Sequence, residues 1–351
     1  AGGRALAPGA DGAPGGRGGS QGVKLGVIGA GSWGTALAAV AARNGHAVTL
    51  WAREAAVAEA IDASHRNPRY LGDVALPETI HATTRRDALS DCDAALLVVP
   101  AQALRAVCAG FSDTLGASTP VVICAKGIER DSGALMSEVV AGALPGRPIA
   151  VLSGPTFAGE VARGLPTAVT LACADPAIAA RLVEALGSRA FRPYASDDVI
   201  GAEVAGAVKN VLAIACGITV GRGLGDNARA ALITRGVAEI GRLSAALGGR
   251  AESLMGLAGI GDIFLTCSST QSRNYAFGLA LGRDGDLAAA LAAAPKVVEG
   301  VATAASVTAR AARHGADMPI ARAVDAVLHR GADLDDEITG LLSRPFRPES
   351  G

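Results

Sequence analysis

The sequence predicts an α/β chain: an N-terminal doubly wound Rossmann-type parallel sheet followed by an all-α C-terminal domain. Three observations predict it. Strand and helix signals alternate as far as about residue 196. The first strand runs into Gly29-x-Gly31-x-x-Gly34 and then into helix-forming sequence. After residue 197 the strand signals stop and only helical periodicity remains.

The strands are read at 23–28, 47–51, 94–99, 120–124, 148–152, 167–173 and 190–194. The early ones are apolar throughout, as parallel strands covered on both faces should be. Helical patterns fill the gaps at 33–44, 54–64, 101–115, 132–143 and 176–186. Asn44-Gly45 closes the first of these with a C-terminal glycine, and Asp175-Pro176 opens the last with a cap and a proline at the first helical position. Later helices are read at 198–221, 226–247, 277–293, 299–314 and 318–330. The domains expected are therefore a dinucleotide-binding unit over 23–197 and a helical substrate-binding unit over 198–343. A Gly/Ala/Pro/Arg tract, 1–22, reads as a disordered leader without a secretory apolar core, and 344–351 reads as a loose tail.

Half of the 351 residues are hydrophobic but only 3% are aromatic, so the cores must be built from Ala, Val, Leu and Ile. A formal net charge of −1 gives no sign of a nucleic-acid partner. The six cysteines form no CxxC and pair with no histidine, which points to buried free thiols and to no metal site. One stretch, Val204–Val220, is apolar enough to suggest a membrane span, but Lys209 and Asn210 stand near its middle. A central lysine costs about 3 kcal/mol on insertion, so a buried helix and no integral membrane segment are expected.

The glycines are the strongest functional signal. Gly29 permits a tight turn, Gly31 lets a pyrophosphate approach the backbone, and Gly34 lets helix and strand pack closely. Unpartnered N–H groups at the helix start make an anion site. The bare motif could be a glycine-rich turn in a chain with 46 glycines, and it is the strand before and the helix after that favour a dinucleotide. The next strand ends in Arg53-Glu54, where an aspartate would mark a ribose 2′-hydroxyl. A guanidinium suits a 2′-phosphate. NADP(H) is therefore favoured, with NAD(H) possible; Arg53 as a solvated loop charge and Glu54 as a helix-start carboxylate remain the plainer readings.

Four further segments place polar groups inside apolar or small-residue runs. Ala125-Lys126-Gly127 follows a strand, so Lys126 is expected in the cleft unless it is a surface loop lysine. Ser153-Gly154-Pro155-Thr156 is a turn after another strand, whose N–H groups could face a ligand. Lys209 stands alone in Glu203–Val211; desolvation would lower its pKa and suit it to protonate an alkoxide, although it could also snorkel at a helix edge. Gly259–Ile263 leads into a Ser-rich run ending Ser272-Arg273-Asn274, a set of donors suited to a phosphate or simply an exposed loop.

Taken together, GAGSWGTALA at 29–38, NPRYL at 67–71, KGIE at 126–129, SGPTFAGEV at 153–161, EVAGAVKN at 203–210 and GLAGIGDIFLTCSSTQSRN at 256–274 closely resemble bacterial-type NAD(P)-dependent glycerol-3-phosphate dehydrogenase. The resemblance covers about residues 23–343 in one order. It implies Ser32 and Trp33 on the cofactor pyrophosphate, Arg53 at the adenine ribose, and Tyr70, Ala158, Val298 and Glu299 on the cofactor. It implies Lys126 on both cofactor and substrate, and Gly154, Thr156, Asp262, Ser272, Arg273 and Asn274 on the substrate, with Arg273 also reaching the cofactor. Lys209 would be the proton donor or acceptor, with Lys126 and Asp262 helping to fix this lysine and the substrate. The reaction implied is hydride transfer to the C2 carbonyl of dihydroxyacetone phosphate, giving sn-glycerol 3-phosphate for glycerophospholipid synthesis. A cytoplasmic homodimer without a metal is implied as well. The sequence departs from the pattern at Gly72, where proline is usual, which leaves the shape of that loop open.

Two rival readings remain at this level. One is another two-domain NAD(P)-dependent hydroxy-acid dehydrogenase, against which the Ser-Arg-Asn phosphate segment argues. The other is a catalytically silent NADP(H)-binding sensor, which would not need Lys126 and Lys209 together.

Overall fold

The computed structural model describes residues 22–294 and 297–345. Nearly all of the leader and residues 346–351 of the tail lie outside the described residues. The first half is an eight-stranded sheet: β1 (Lys24–Ile28), β2 (Ala47–Trp51), β3 (Ile80–Thr83), β4 (Ala94–Leu97), β5 (Val121–Ile123), β6 (Ile149–Ser153), β7 (Thr167–Cys173) and β8 (Phe191–Ser196). Interleaved are α1 (Ser32–Arg43), α2 (Ala55–Ser64), α3 (Pro68–Leu71), α4 (Leu104–Ala109), α5 (Met136–Ala143), α6 (Ala158–Ala162) and α7 (Pro176–Leu186). The second half is helical: α8 (Val199–Gly221), α9 (Gly225–Ala246), α10 (Asp262–Ser268), α11 (Arg273–Asp284), α12 (Leu287–Ala293), α13 (Glu299–Arg313), α14 (Pro319–His329) and α15 (Leu334–Leu342).

The strand order is β3-β2-β1-β4-β5-β6-β7-β8. The chain moves outward from β1 to β3 and then crosses back to β4, so the switch point lies between β1 and β4, where such sheets bind ligands beyond the strand ends. Alternate residues enter opposite layers. Leu25 and Val27 join one core, while Ile28 joins the other. Both faces are thus buried, which explains the unbroken apolar runs.

The sheet is not parallel throughout. β7 runs antiparallel to β6, pairing Ala150 with Cys173 and Ser153 with Thr170, and β8 is parallel to β7. The helix between β6 and β7 has five residues, about 8 Å of rise. A five-residue strand spans about 17 Å. So short a helix does not return the chain to the start of β6, and β7 comes back from the carboxyl end.

Other differences follow from local sequence. The 101–115 helix is confined to a short 3₁₀ turn at Ala101–Ala103 and to α4. The 277–293 helix is two helices, because Gly285 takes φ 69° and ends α11. The sequence pattern does not predict β3, α3, α6, α10 or α15; each is short, and periodicity over four to nine residues is weak.

α8 is the axis of the helical half. Asp198 caps it, with Oδ1 accepting from Gly201 N at 2.9 Å. It packs against α9, α10, α11, α13 and α14 and also reaches β6 and β7. Against α11 the two backbones meet: a Cβ on Gly217 would lie 2.2 Å from Tyr275 O, and one on Gly278 2.1 Å from Ile214 O. Small residues in α8 therefore serve helix packing as well as hydropathy. α8 is the one helix among the described residues long and apolar enough to cross a membrane, and 83% of its apolar window is buried inside the protein.

Candidate active site

The glycine turn sits at the switch point. Gly29 N donates to Trp51 O at 3.0 Å. Gly29 has φ 118°, and a Cβ there would lie 2.3 Å from Val98 O. A Cβ on Gly34 would lie 1.8 Å from Gly29 O. These two positions thus admit no side chain. Gly31 differs: a Cβ there would meet nothing within 4 Å, so the backbone borders open space. α1 begins at Ser32 with no acidic residue in its first turn. A free helix N-terminus facing open space fits a pyrophosphate.

The residues expected around that group lie on both sides of the turn. Ser32 Oγ donates to Tyr70 O at 2.9 Å, tying α1 to the α3 segment. Trp33 and Ala158 pack against the same core layer. Arg53 follows β2, with its side chain 84% exposed and its guanidinium 3.8 Å from Glu54. Glu54 is engaged more closely by Arg69. Gly72 ends α3 with φ 59°, a value proline does not reach, so the loop has a form of its own here.

The second cluster is polar and buried. Lys126, just beyond β5, places Nζ 2.5 Å from Asp262 Oδ2 and 3.3 Å from Gly154 O. Lys209, in α8, places Nζ 2.9 Å from Asp262 Oδ1 and 2.6 Å from Thr266 Oγ1. One carboxylate thus holds two lysines brought from opposite halves of the chain. Burial lowers the pKa of Lys209 and the nearby charge of Lys126 lowers it further, against the pull of Asp262. Burial alone would raise Asp262, but the two ammonium groups outweigh it and hold its carboxyl below the usual range. Two cations on one anion leave the cluster with a surplus positive charge, suited to an anionic substrate.

Thr156 Oγ1 donates to Gly154 O at 3.3 Å, on the turn that Lys126 also touches. Asn274 Nδ2 donates to Asn210 Oδ1 at 2.9 Å, and its own Oδ1 accepts from Gly300 N at 2.9 Å. It therefore ties α11, α8 and α13 together. Ser272 caps α11, accepting from Tyr275 N at 3.3 Å. Arg273 donates to Val297 O at 2.8 Å, beside Val298 at the cap of α13. Glu299 opens α13. Burial pushes its carboxyl up to about 7, against the pull of Arg273, and its Oε2 is buried without a hydrogen-bond partner among the described residues.

The sequence pattern assigns no role to three residues that the structure brings into these sites: Asn67, Asn210 and Thr266. Thr266 was legible, because it stands four residues after Asp262 and hence on the same helix face. Asn210 and Asn67 were not, because their partners lie 64 and at least 32 residues away in the chain. Among the described residues no group of three or more His, Cys, Asp or Glu side chains is placed to hold a metal ion.

Comparison with known proteins identifies the family. Residues 24–179 match the N-terminal family model of NAD-dependent glycerol-3-phosphate dehydrogenase, and 198–339 match the C-terminal one. A glycerol-3-phosphate dehydrogenase [NAD(P)+] of Rhodospirillum rubrum is 57% identical over 328 residues, covering 93% of this chain and 94% of that protein. One from Caulobacter vibrioides is 56% identical over 327 residues, covering 93% and 99%. The crystal structure of glycerol-3-phosphate dehydrogenase from Coxiella burnetii superposes with a TM-score of 0.88 at 44% identity, covering 92% of this chain and 99% of that one. The chain belongs to the NAD(P)-dependent glycerol-3-phosphate dehydrogenase family.

Proposed function

We propose that the chain reduces dihydroxyacetone phosphate to sn-glycerol 3-phosphate with Lys209 as the proton donor and with NADPH as the preferred reductant. The observation behind this reading is the pair Lys126 and Lys209 on the single buried carboxylate of Asp262. When bound, the nicotinamide cofactor supplies the hydride.

Lys209 would hold the substrate carbonyl oxygen and give it a proton as negative charge develops there. Its lowered pKa favours that transfer. Asp262 would keep Lys209 pointed at the oxygen, while Thr266 Oγ1 accepts a hydrogen bond from the same ammonium group. Lys126 would hold the substrate against the Gly154–Thr156 turn. Ser272, Arg273 and Asn274 at the start of α11 would take the phosphate, so that binding at the unreactive end aligns the ketone. Gly29, Gly31, Gly34, Ser32, Trp33, Tyr70, Ala158, Val298 and Glu299 would line the cofactor. The exposed Arg53 guanidinium, only loosely paired with a Glu54 that Arg69 engages more closely, supports a site for a 2′-phosphate rather than a 2′-hydroxyl. A cytoplasmic homodimer belongs to the same reading and rests on family membership.

The test is cofactor oxidation on addition of dihydroxyacetone phosphate, run with NADPH and with NADH. Turnover with both and a higher kcat/KM for NADPH is expected. Turnover only with an unphosphorylated hydroxy acid or its ketone would replace the substrate class, and no turnover with any of them would favour a silent NADP(H)-binding protein.

A further inference from the structure

Asn67 is 1% exposed and lies far in sequence from the glycine turn, yet it reaches into that turn. Its Nδ2 donates to Ala30 O at 3.0 Å and to Thr35 Oγ1 at 2.8 Å. Thr35 Oγ1 in turn stands 3.4 Å from Ala30 O and donates to it. A carbonyl only accepts, so the amide nitrogen of Asn67 must be the group that faces Ala30. The other end of the amide, Oδ1, is buried and finds no partner among the described residues. Asn67 O also accepts from Tyr70 N at 3.1 Å and from Leu71 N at 2.8 Å, which winds α3. The Ser32 contact to Tyr70 O closes the loop back onto α1.

Ala30 O and Gly31 N belong to one peptide unit. That unit is planar and trans, so its carbonyl and its N–H point in opposite directions. Holding Ala30 O inward on Asn67 therefore holds Gly31 N–H outward, into the open space beside Gly31. This glycine-flanked peptide rotates easily, and beside the 3.0 Å Asn67 bond the longer 3.4 Å contact from Thr35 holds the same carbonyl less firmly. We propose that Asn67 is a positioning residue for the dinucleotide: it fixes the Ala30–Gly31 peptide so that Gly31 N–H faces the bound pyrophosphate. The inference rests on the reading of this turn as the dinucleotide site.

The experiment measures binding and stability apart from turnover. Kd for NADPH is read by fluorescence on the cofactor-free chain, Tm on the same sample, and kcat at saturating NADPH with dihydroxyacetone phosphate. Asn67→Leu is expected to weaken NADPH binding by about tenfold, the equivalent of one lost hydrogen bond. Its Tm should change little, because the donor and the unpaired Oδ1 leave together and Thr35 still serves Ala30 O. Saturating kcat should stay within about threefold, since the effect lies in binding. A folded Asn67→Leu with parental Kd overturns the inference, as does a loss confined to Tm.

Asn67→Asp, nearly the same shape, covers the case in which the leucine variant does not fold. Ionised, it offers Ala30 O no donor; protonated, it offers an O–H. Measured with NADP⁺ against the parent at each pH, its binding should recover as pH falls through the aspartate's titration. A constant ratio across pH would also overturn the inference. Gly31→Leu separates the two levels of the argument. If it leaves NADPH binding intact, the dinucleotide reading of the turn fails. If it abolishes binding while both Asn67 variants bind as the parent does, only the role of Asn67 fails.

Discussion

Lys209 Nζ lies 2.9 Å from Asp262 Oδ1, and both side chains are buried, at 8% and 2% exposure. The carboxylate thus opposes the burial that lowers the Lys209 pKa. Lys209→Ala should lower kcat by about 10²–10⁴, the span of a positioned acid–base group. Folding and NADPH affinity should stay close to the parent's. Asp262→Asn makes a sharper test. Removing the carboxylate takes away the influence that raises the Lys209 pKa and leaves Lys126, which lowers it. The alkaline limb of kcat/KM for ketone reduction should therefore move to lower pH. An unmoved limb in a folded variant would show that Lys209 is not the group titrating there.

Arg53→Asp should shift the cofactor preference from NADPH toward NADH. The exposed guanidinium is lost, and the new carboxylate repels a 2′-phosphate while accepting from a 2′-hydroxyl. The quantity to compare is the ratio of kcat/KM for the two cofactors. If the ratio does not change, Arg53 does not read the ribose.

Arg273→Leu should damage use of the phosphorylated substrate most. The loss of a charge-assisted hydrogen-bond partner at the phosphate is about 1.5–3 kcal/mol. It should appear in KM for dihydroxyacetone phosphate, and in kcat to the extent that the phosphate aligns the ketone. Unphosphorylated dihydroxyacetone should lose far less. A smaller effect on cofactor KM is expected too, because Arg273 holds Val297 O next to Val298 and Glu299. Equal fractional losses with the two substrates would count against Arg273 as the phosphate's partner.

Glu239, in α9, accepts from Ile320 N at 2.7 Å and from Ala321 N at 3.3 Å, and so closes the start of α14. Burial pushes its carboxyl from 4.5 up to about 7, against the two N–H donors. Between those values the folded chain holds a proton that the unfolded chain has lost, so stability falls as pH rises through that window. Glu239→Gln removes the titration. Urea unfolding from pH 5 to pH 8 should show the parent losing about 1–3 kcal/mol relative to the variant. A constant difference between the two would place the Glu239 titration outside this range.

How much was legible depends on how far apart in the chain the cooperating residues lie. The Gly29–Gly34 turn is one local run, so strand, turn and helix are readable together. Lys209 stood out because a charge in an apolar helix is costly and needs a partner. Which partner it takes was not readable from α8 itself: Asp262 is 53 residues further on, and Lys126 comes from the sheet half. The reversal at β7 was hidden for another reason. Alternation of strand and helix reports the order of elements, whereas direction depends on whether the intervening helix is long enough to bring the chain back.

The sequence alone thus determined the α/β-then-α order, the glycine turn between β1 and α1 and the family, because each rests on contiguous residues whose spacing is itself the signal. The family resemblance implies that Lys126 and Asp262 help to fix Lys209, but only the tertiary structure decided that both lysines sit directly on the one buried carboxylate, and that Asn67 reaches the peptide between Ala30 and Gly31. Such contacts depend on packing between distant segments, and no local spacing in the sequence reports which segments the fold brings together.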